Sequence, residues 1–201
     1  MVKSLFQKAW GLVPGPRSKQ SRPVVRDLPA ASPVSMRNMG QVVHLEPFCC
    51  PADDQGYEPS CAGFAISNPR EVSLRRNGVV VPYGFQIDGR KVWQRGRKDH
   101  HGGDLSGGLT MRQAFDAALK EGVYPKGTTL VEVPKDEIVE YMARYGALIA
   151  GHDLSQAYNN PDRVNGYVNP YTTRGMLGPH GWNLISIYEQ AGNRYFRMLS
   201  H

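Results

Sequence analysis

Gln55 stands six residues ahead of Cys61, with Gly56 between them and an apolar run, Ala62 to Ile66, behind. A thiol attacks carbonyls only as the thiolate, and the positive end of a helix favours that anion. If a helix opens at Cys61, its backbone N–H and the Gln55 carboxamide can point at one oxygen. Two donors aimed at a developing oxyanion are what acyl transfer needs. Such a site also needs a base. His44 and His201 lie near the ends of the body, His100 and His101 fall in a polar stretch, and His152 ends a strand-like run. His180, in Gly178-Pro179-His180-Gly181-Trp182, sits at a strand start between glycines that let a substrate approach. It is the favoured base, with His152 its rival. The competing interpretation of Cys61 is a small inert core residue among alanines.

The elements that must position these groups follow from pattern and punctuation. Gln41 to Leu45 predicts a brief strand, after which Pro47 and Pro51 hold the chain extended toward Gln55. A helix from Cys61 should bury Ala62, Phe64, Ala65 and Ile66. Pro69 is expected to break or kink it, with a second piece running from an Asn68 cap to Arg76 and stopping at Asn77-Gly78. Val79 to Trp93 alternates loosely around Asp88-Gly89, a hairpin signal, and Gln94 to Gly108 reads as a polar loop. Met111, Phe115, Ala118 and Leu119 form one stripe of a helix over Leu109 to Glu121, stopped by Gly122. Val131 to Val133 is extended. A helix after Pro134 carries Ile138, Tyr141, Met142 and Tyr145 to Gly146. Ala147 to Ala150 reads as a buried strand, 155–179 as loop, and Trp182–Tyr188 and Arg194–Leu199 as paired strands. Helices first and strands last give an α+β class without a βαβ series.

Residues 1–45 hold seven basic residues against Asp27 alone, so the net charge of +6 belongs to the N-terminal stretch and the rest is balanced. Pro14, Pro16, Pro23, Pro29 and Pro33 mark residues 1–41 as an extended basic arm in which only Ser4 to Trp10 has helical potential. The arm suits an acidic partner or a larger assembly; the neutral body argues against a nucleic-acid-binding core. No apolar window reaches the roughly 18 residues of a membrane span, and Pro14 ends the first apolar stretch too early for a secretory signal. Three cysteines without a C-x-x-C argue against a disulfide framework and for a reducing compartment or an enclosed particle. No phosphate-loop or zinc spacing is present, so no cofactor or metal is expected.

Gln55-Gly56 through Ser60-Cys61-Ala62-Gly63-Phe64-Ala65 resembles the active-site segment of papain-like cysteine peptidases, closest to the shortened forms of bacteria and their viruses. Val43 to Pro51 is similar to that group's lead-in. Gly107-Gly108 through Arg112 and Phe115 to Pro125 resembles its cleft glycines and following helix, and His180-Gly181-Trp182-Asn183-Leu184-Ile185 its histidine strand. The similarity spans roughly 42–201. It implies a two-lobe fold, a helical lobe over about 52–125 and a β-barrel-like lobe over about 126–201, with a cleft between them. It implies Cys61 as nucleophile, His180 as base and later acid, Gln55 in the oxyanion hole, and Gly107 and Gly108 against a peptide or protein substrate. The family's orienting asparagine falls on Leu199 or Ser200, with Ser200 and Asn183 as the available third members. The chain has Pro59-Ser60-Cys61-Ala62 where the family has Gly-Ser-Cys-Trp, and 119 residues between Cys61 and His180 against roughly 130–150. The implied activity is a thiol protease acting on peptide or isopeptide bonds, cell-wall peptides included, in the cytoplasm or a virion. The alternative is the same fold kept as a binding or structural module in a phage particle, anchored by its basic arm.

Overall fold

The computed structural model describes residues 8–13, 41–51, 54–79, 87–155, 176–190 and 193–199. In chain order these form β1 (Lys8–Val13), β2 (Gln41–His44), a 3-10 turn (Glu46–Phe48), α1 (Cys61–Arg76), α2 (Gly89–His101), α3 (Met111–Lys120), β3 (Thr129–Glu132), α4 (Ile138–Tyr145), β4 (Leu148–Ser155), β5 (Met176–Gln190) and β6 (Asn193–Leu199). The class is α+β, with one antiparallel sheet in the order β2-β5-β4-β1-β3 and β6 also paired to β5. Among the described residues no helix is long and apolar enough to cross a membrane.

β4 explains how the sheet divides the core. Leu148 and Ala150 belong to one apolar cluster with Val43, Ile138, Met142, Leu184 and Ile187. Ile149 between them belongs to a second cluster with Ala62, Ala65, Ile66, Val92, Phe115 and Ala118. A strand covered on both faces reads as an unbroken apolar run rather than an alternating one. The helices α1, α2 and α3 cover one face, and α4 contributes to the other core.

Four expectations change. The N-terminal arm is not wholly extraneous, because Lys8–Val13 is a strand inserted between β3 and β4. A lone turn of helix at Ser4 to Trp10 would be marginal, whereas this strand uses its backbone groups on both sides. The Asp88-Gly89 pair is a helix cap rather than a hairpin turn. The Asp88 carboxylate accepts from Arg90 N at 3.0 Å and Lys91 N at 3.2 Å, which starts α2 inside the expected hairpin, and the helix runs on to His101 through the first half of the expected polar loop. Its buried face is Val92, Trp93, Gly96 and Arg97, a helical spacing masked by the basic residues around it. Finally, α1 continues through Pro69 as a single helix. The strand β5 also starts at Met176, earlier than the expected loop boundary.

Capping is conventional in α3. Thr110 accepts from Gln113 N at 3.2 Å while Gln113 Oε1 takes the Thr110 N–H at 3.0 Å, satisfying two orphan donors. At the other end of the sheet, Glu46 accepts from Tyr188 Oη at 2.6 Å and Arg197 Nη1 at 3.0 Å. Burial alone would raise its carboxyl. Hydrogen bonds from Tyr188 and Ser186, with the charges of Arg197 and His44, outweigh burial and hold it below its ordinary 4.5.

Two outcomes follow. Deleting residues 1–13 exposes the edges of β3 and β4 and should lower the melting temperature by about 10 °C or more, where 1 kcal/mol corresponds to roughly 2–4 °C in a chain of this size. An unchanged melt by circular dichroism would show that β1 adds nothing. A depressed carboxylate contributes stability above its unfolded pKa and loses it as pH falls through the folded one. Urea melts should therefore weaken below about pH 4.5. Glu46→Gln should cost about 1 kcal/mol or more at pH 7 and flatten that acid limb; a limb of unaltered slope would place the acid sensitivity elsewhere.

Candidate functional site

Cys61 is the first residue of α1, and its side chain is half-buried. Ser60 precedes it as N-cap but makes no side-chain cap bond. Gly63 N and Phe64 N both donate to Ser60 O, at 2.8 and 3.3 Å. The N–H groups of Cys61 and Ala62 ahead of them have no acceptor among the described residues. Uncapped amides and the positive end of the helix dipole thus lie at the thiol. The Cys61 thiol itself makes no hydrogen bond among the described residues.

The turn before α1 is built by Asp54, whose carboxylate accepts from Gly56 N at 2.7 Å while Gly56 takes a left-handed φ of 60°. Glu58 pairs with Arg90 of α2 and pins the turn from outside, and Tyr57 projects fully into solvent. Gln55 is folded into this turn. Its Nε2 donates to Glu58 O at 3.1 Å, and its Oε1 is enclosed without a partner. One of the two amide hydrogens expected to face an oxyanion is therefore engaged within the loop.

Gly108 lies beside the nucleophile segment, since a Cβ there would sit 3.5 Å from Pro59 O, and Gly107 lies over the Arg97 guanidinium. They are held from behind. Trp93 Nε1 donates to Gly107 O at 3.0 Å and Arg97 Nη1 to Gly108 O at 3.1 Å. The buried Arg97 also donates through Nε to Asp104 O, and its Nη2 meets the Asp104 carboxylate at 3.2 Å. Sequence reasoning missed Arg97 because 94–108 read as loop. The signal was its place in the buried stripe, four residues after Trp93.

His180 lies on β5, and its neighbour Gly181 touches the nucleophile's helix. A Cβ on Gly181 would stand 3.6 Å from Cys61 O, 3.1 Å from Ala65 Cβ and 2.5 Å from Met111 Cε. The structure thus brings the cysteine and histidine segments together, although 119 residues separate them. The imidazole packs edge-on against Trp182, ring centroids 4.8 Å apart, with Nε2 shielded from solvent. No hydrogen bond joins it to the Cys61 thiol. His152 is the backbone partner of His180 across β4 and β5.

Asn183 is not an orienting group for the histidine. It points to the other side of β5, as period-two alternation requires. Its Nδ2 donates to Ala65 O at 2.8 Å, and its buried Oδ1 accepts nothing from the described residues. Ser200 lies outside the described residues. Leu199, its neighbour, is the β6 partner of Asn183 and packs into the sheet core.

The other two thiols differ from Cys61. Burial, then the Glu46 charge, pushes the Cys49 thiol up to about 11. Cys50 donates to Glu71 Oε2 at 2.6 Å. Glu71 is 1% exposed and also accepts from Ile87 N. It ties the lead-in to Gln55 and the approach to α2 onto α1, and its place ten residues after Cys61 carried no sequence signal. No protein-family model matches the chain, and no curated protein matches its sequence.

Gly181→Ala should destabilise by about 1–3 kcal/mol, because Met111 Cε can swing aside while Ala65 Cβ is fixed to its helix. Gly181→Val should be markedly worse. Denaturant melts check the order; equal stability of the three would mean β5 does not rest on α1.

Proposed function

We propose that the chain is a papain-like cysteine peptidase of two lobes, one built on α1 to α3 and the other on the sheet, hydrolysing peptide or isopeptide bonds. The observation that carries this reading is the contact of Gly181 with Cys61 O. It sets a histidine one residue from the backbone of a helix-start cysteine. The uncapped amides of α1 lie beside the thiol, and Gly108 brings a side-chain-free backbone against Pro59.

In this mechanism His180 takes the Cys61 proton, and the thiolate attacks the scissile carbonyl carbon. The oxyanion is held by Cys61 N–H and by Gln55 once its carboxamide turns out of its own loop. Imidazolium protonates the leaving amine as the C–N bond breaks, leaving a thioester. Water, deprotonated by His180, then attacks the thioester, and the thiolate leaves as the acid is released. Separated catalytic pairs are common in apo sites and close on substrate.

A second reading, a binding or structural module on this fold, is favoured by a specific observation: Gln55 is bonded to Glu58 O, and the Cys61 thiol makes no hydrogen bond among the described residues. A peptidyl thiol electrophile decides between them. At pH 7.5 Cys61 should label much faster than Cys49 or Cys50, and His180→Ala should slow it by about 10-fold or more. Gln55→Ala should lower peptide turnover by about 100-fold. Equal labelling of all three cysteines would overturn the peptidase reading and leave the module.

A further inference from the structure

Proline has no N–H, so Pro69 within α1 leaves the carbonyl four residues earlier, Ala65 O, without its helical donor. The helix nevertheless runs on to Arg76. Ala65 O accepts from Asn183 Nδ2 instead, at 2.8 Å and across 118 residues of sequence. Asn183 is 1% exposed. Its Oδ1 has no partner among the described residues, so an apolar residue of similar size would be the better core filler but for the amide's donor. The bond joins a position four residues after Cys61 to one three residues after His180. Between them Gly181 lies against Ala65 and Cys61 O. The cross-link therefore sits about one helical turn from the proposed reacting atoms, on the two elements that carry them.

We infer that Asn183 is a positioning residue for the reaction: bonded to the carbonyl that Pro69 leaves open, it fixes how far the histidine strand stands from the cysteine helix. This rests on the peptidase reading. It assigns Asn183 no contact with substrate or imidazole. Its effect passes through backbone placement, where a shift of about 1 Å can cost about 100-fold in rate.

The test separates spacing from stability through Pro69. An alanine there restores a helical N–H to Ala65 O without restoring the link to β5. In full-length protein, N183L should lower the melting temperature and slow labelling of Cys61 by the peptidyl electrophile by about 10- to 100-fold. His180→Ala should slow labelling less in N183L than in the wild type, because a displaced histidine strand has less rate to lose. N183L/P69A should regain the melting temperature while labelling stays slow and the reduced dependence on His180 persists; P69A alone should keep the wild-type rate. If N183L does not fold, the double variant compared with P69A carries the measurement. Wild-type labelling in N183L, or recovery of both rate and stability in the double variant, would reduce Asn183 to a packing residue. A wild-type Cys61 no faster than Cys49 would instead sink the peptidase reading, and this inference with it.

Discussion

The first two turns of α1 and the middle of β5 lie at nearly backbone-to-backbone distance, and that closeness restricts the chain on both sides. On the sheet side it requires glycine at 181 and alanine at 65. On the opposite side Gly63 meets Gly89 O and Trp93 N, and Gly89 meets Phe64, so α2 is also pressed against α1. Residues 62–69 are buried without interruption. A helix enclosed all round loses the polar stripe of a surface helix, and its backbone cannot turn to water for missing partners. The gap that Pro69 opens must then be closed by side chains. Asn183 serves Ala65 O, and Tyr124 Oη donates to Ile66 O at 2.6 Å while taking a backbone hydrogen bond from Arg70. Burial raises the Tyr124 hydroxyl and keeps it a donor.

Two buried charges extend the same constraint to the loops. Glu71 gathers the Cys50 thiol and the Ile87 amide, and Arg97 gathers the carbonyls of Asp104 and Gly108 with the Asp104 carboxylate. A buried charge is tolerated when its hydrogen-bonding capacity is filled. Here it is filled by backbone and side-chain groups of irregular segments. One charge holds the lead-in to Gln55 and the other holds the glycines beside Pro59, so each flank of the Cys61 segment is fixed by a charged group from a helix interior.

The sequence made the apolar elements legible and concealed those that depend on distant partners. The stripe of α3 with Thr110 and Gln113, the run around Leu148 and the strands near Ile185 and Phe196 could be read from local pattern, because burial writes its period into the chain. Lys8–Val13 could not, since a strand that completes a sheet between two others is defined by β3 and β4, more than a hundred residues away. Asp88-Gly89 carried two meanings, turn and cap, and only the helix behind it selects one. Pro69 signalled a break correctly as local chemistry; what overrode it was an asparagine 114 positions later. For the candidate site, the segments of Cys61, His180 and Gly108 were legible in order and do converge. The orientation of Gln55 was not, because a carboxamide's direction depends on which carbonyl it finds first.

That last point bears on what separates a peptidase from a scaffold here. The three thiols share one chain and differ only in surroundings. Cys49 is held protonated by burial and by Glu46, Cys50 donates a hydrogen bond to the Glu71 carboxylate, and Cys61 stands at uncapped helix amides. The three sulfurs therefore differ in surroundings before any base is considered. The peptidase reading asks two things of this arrangement: the Gln55 carboxamide must turn away from Glu58 O, and the His180 ring, which alternation sets on the face of β5 opposite Gly181 and Asn183, must reach round the strand to the sulfur. The same fold serves an active or an idle site, and the choice between the two readings turns on those two side chains.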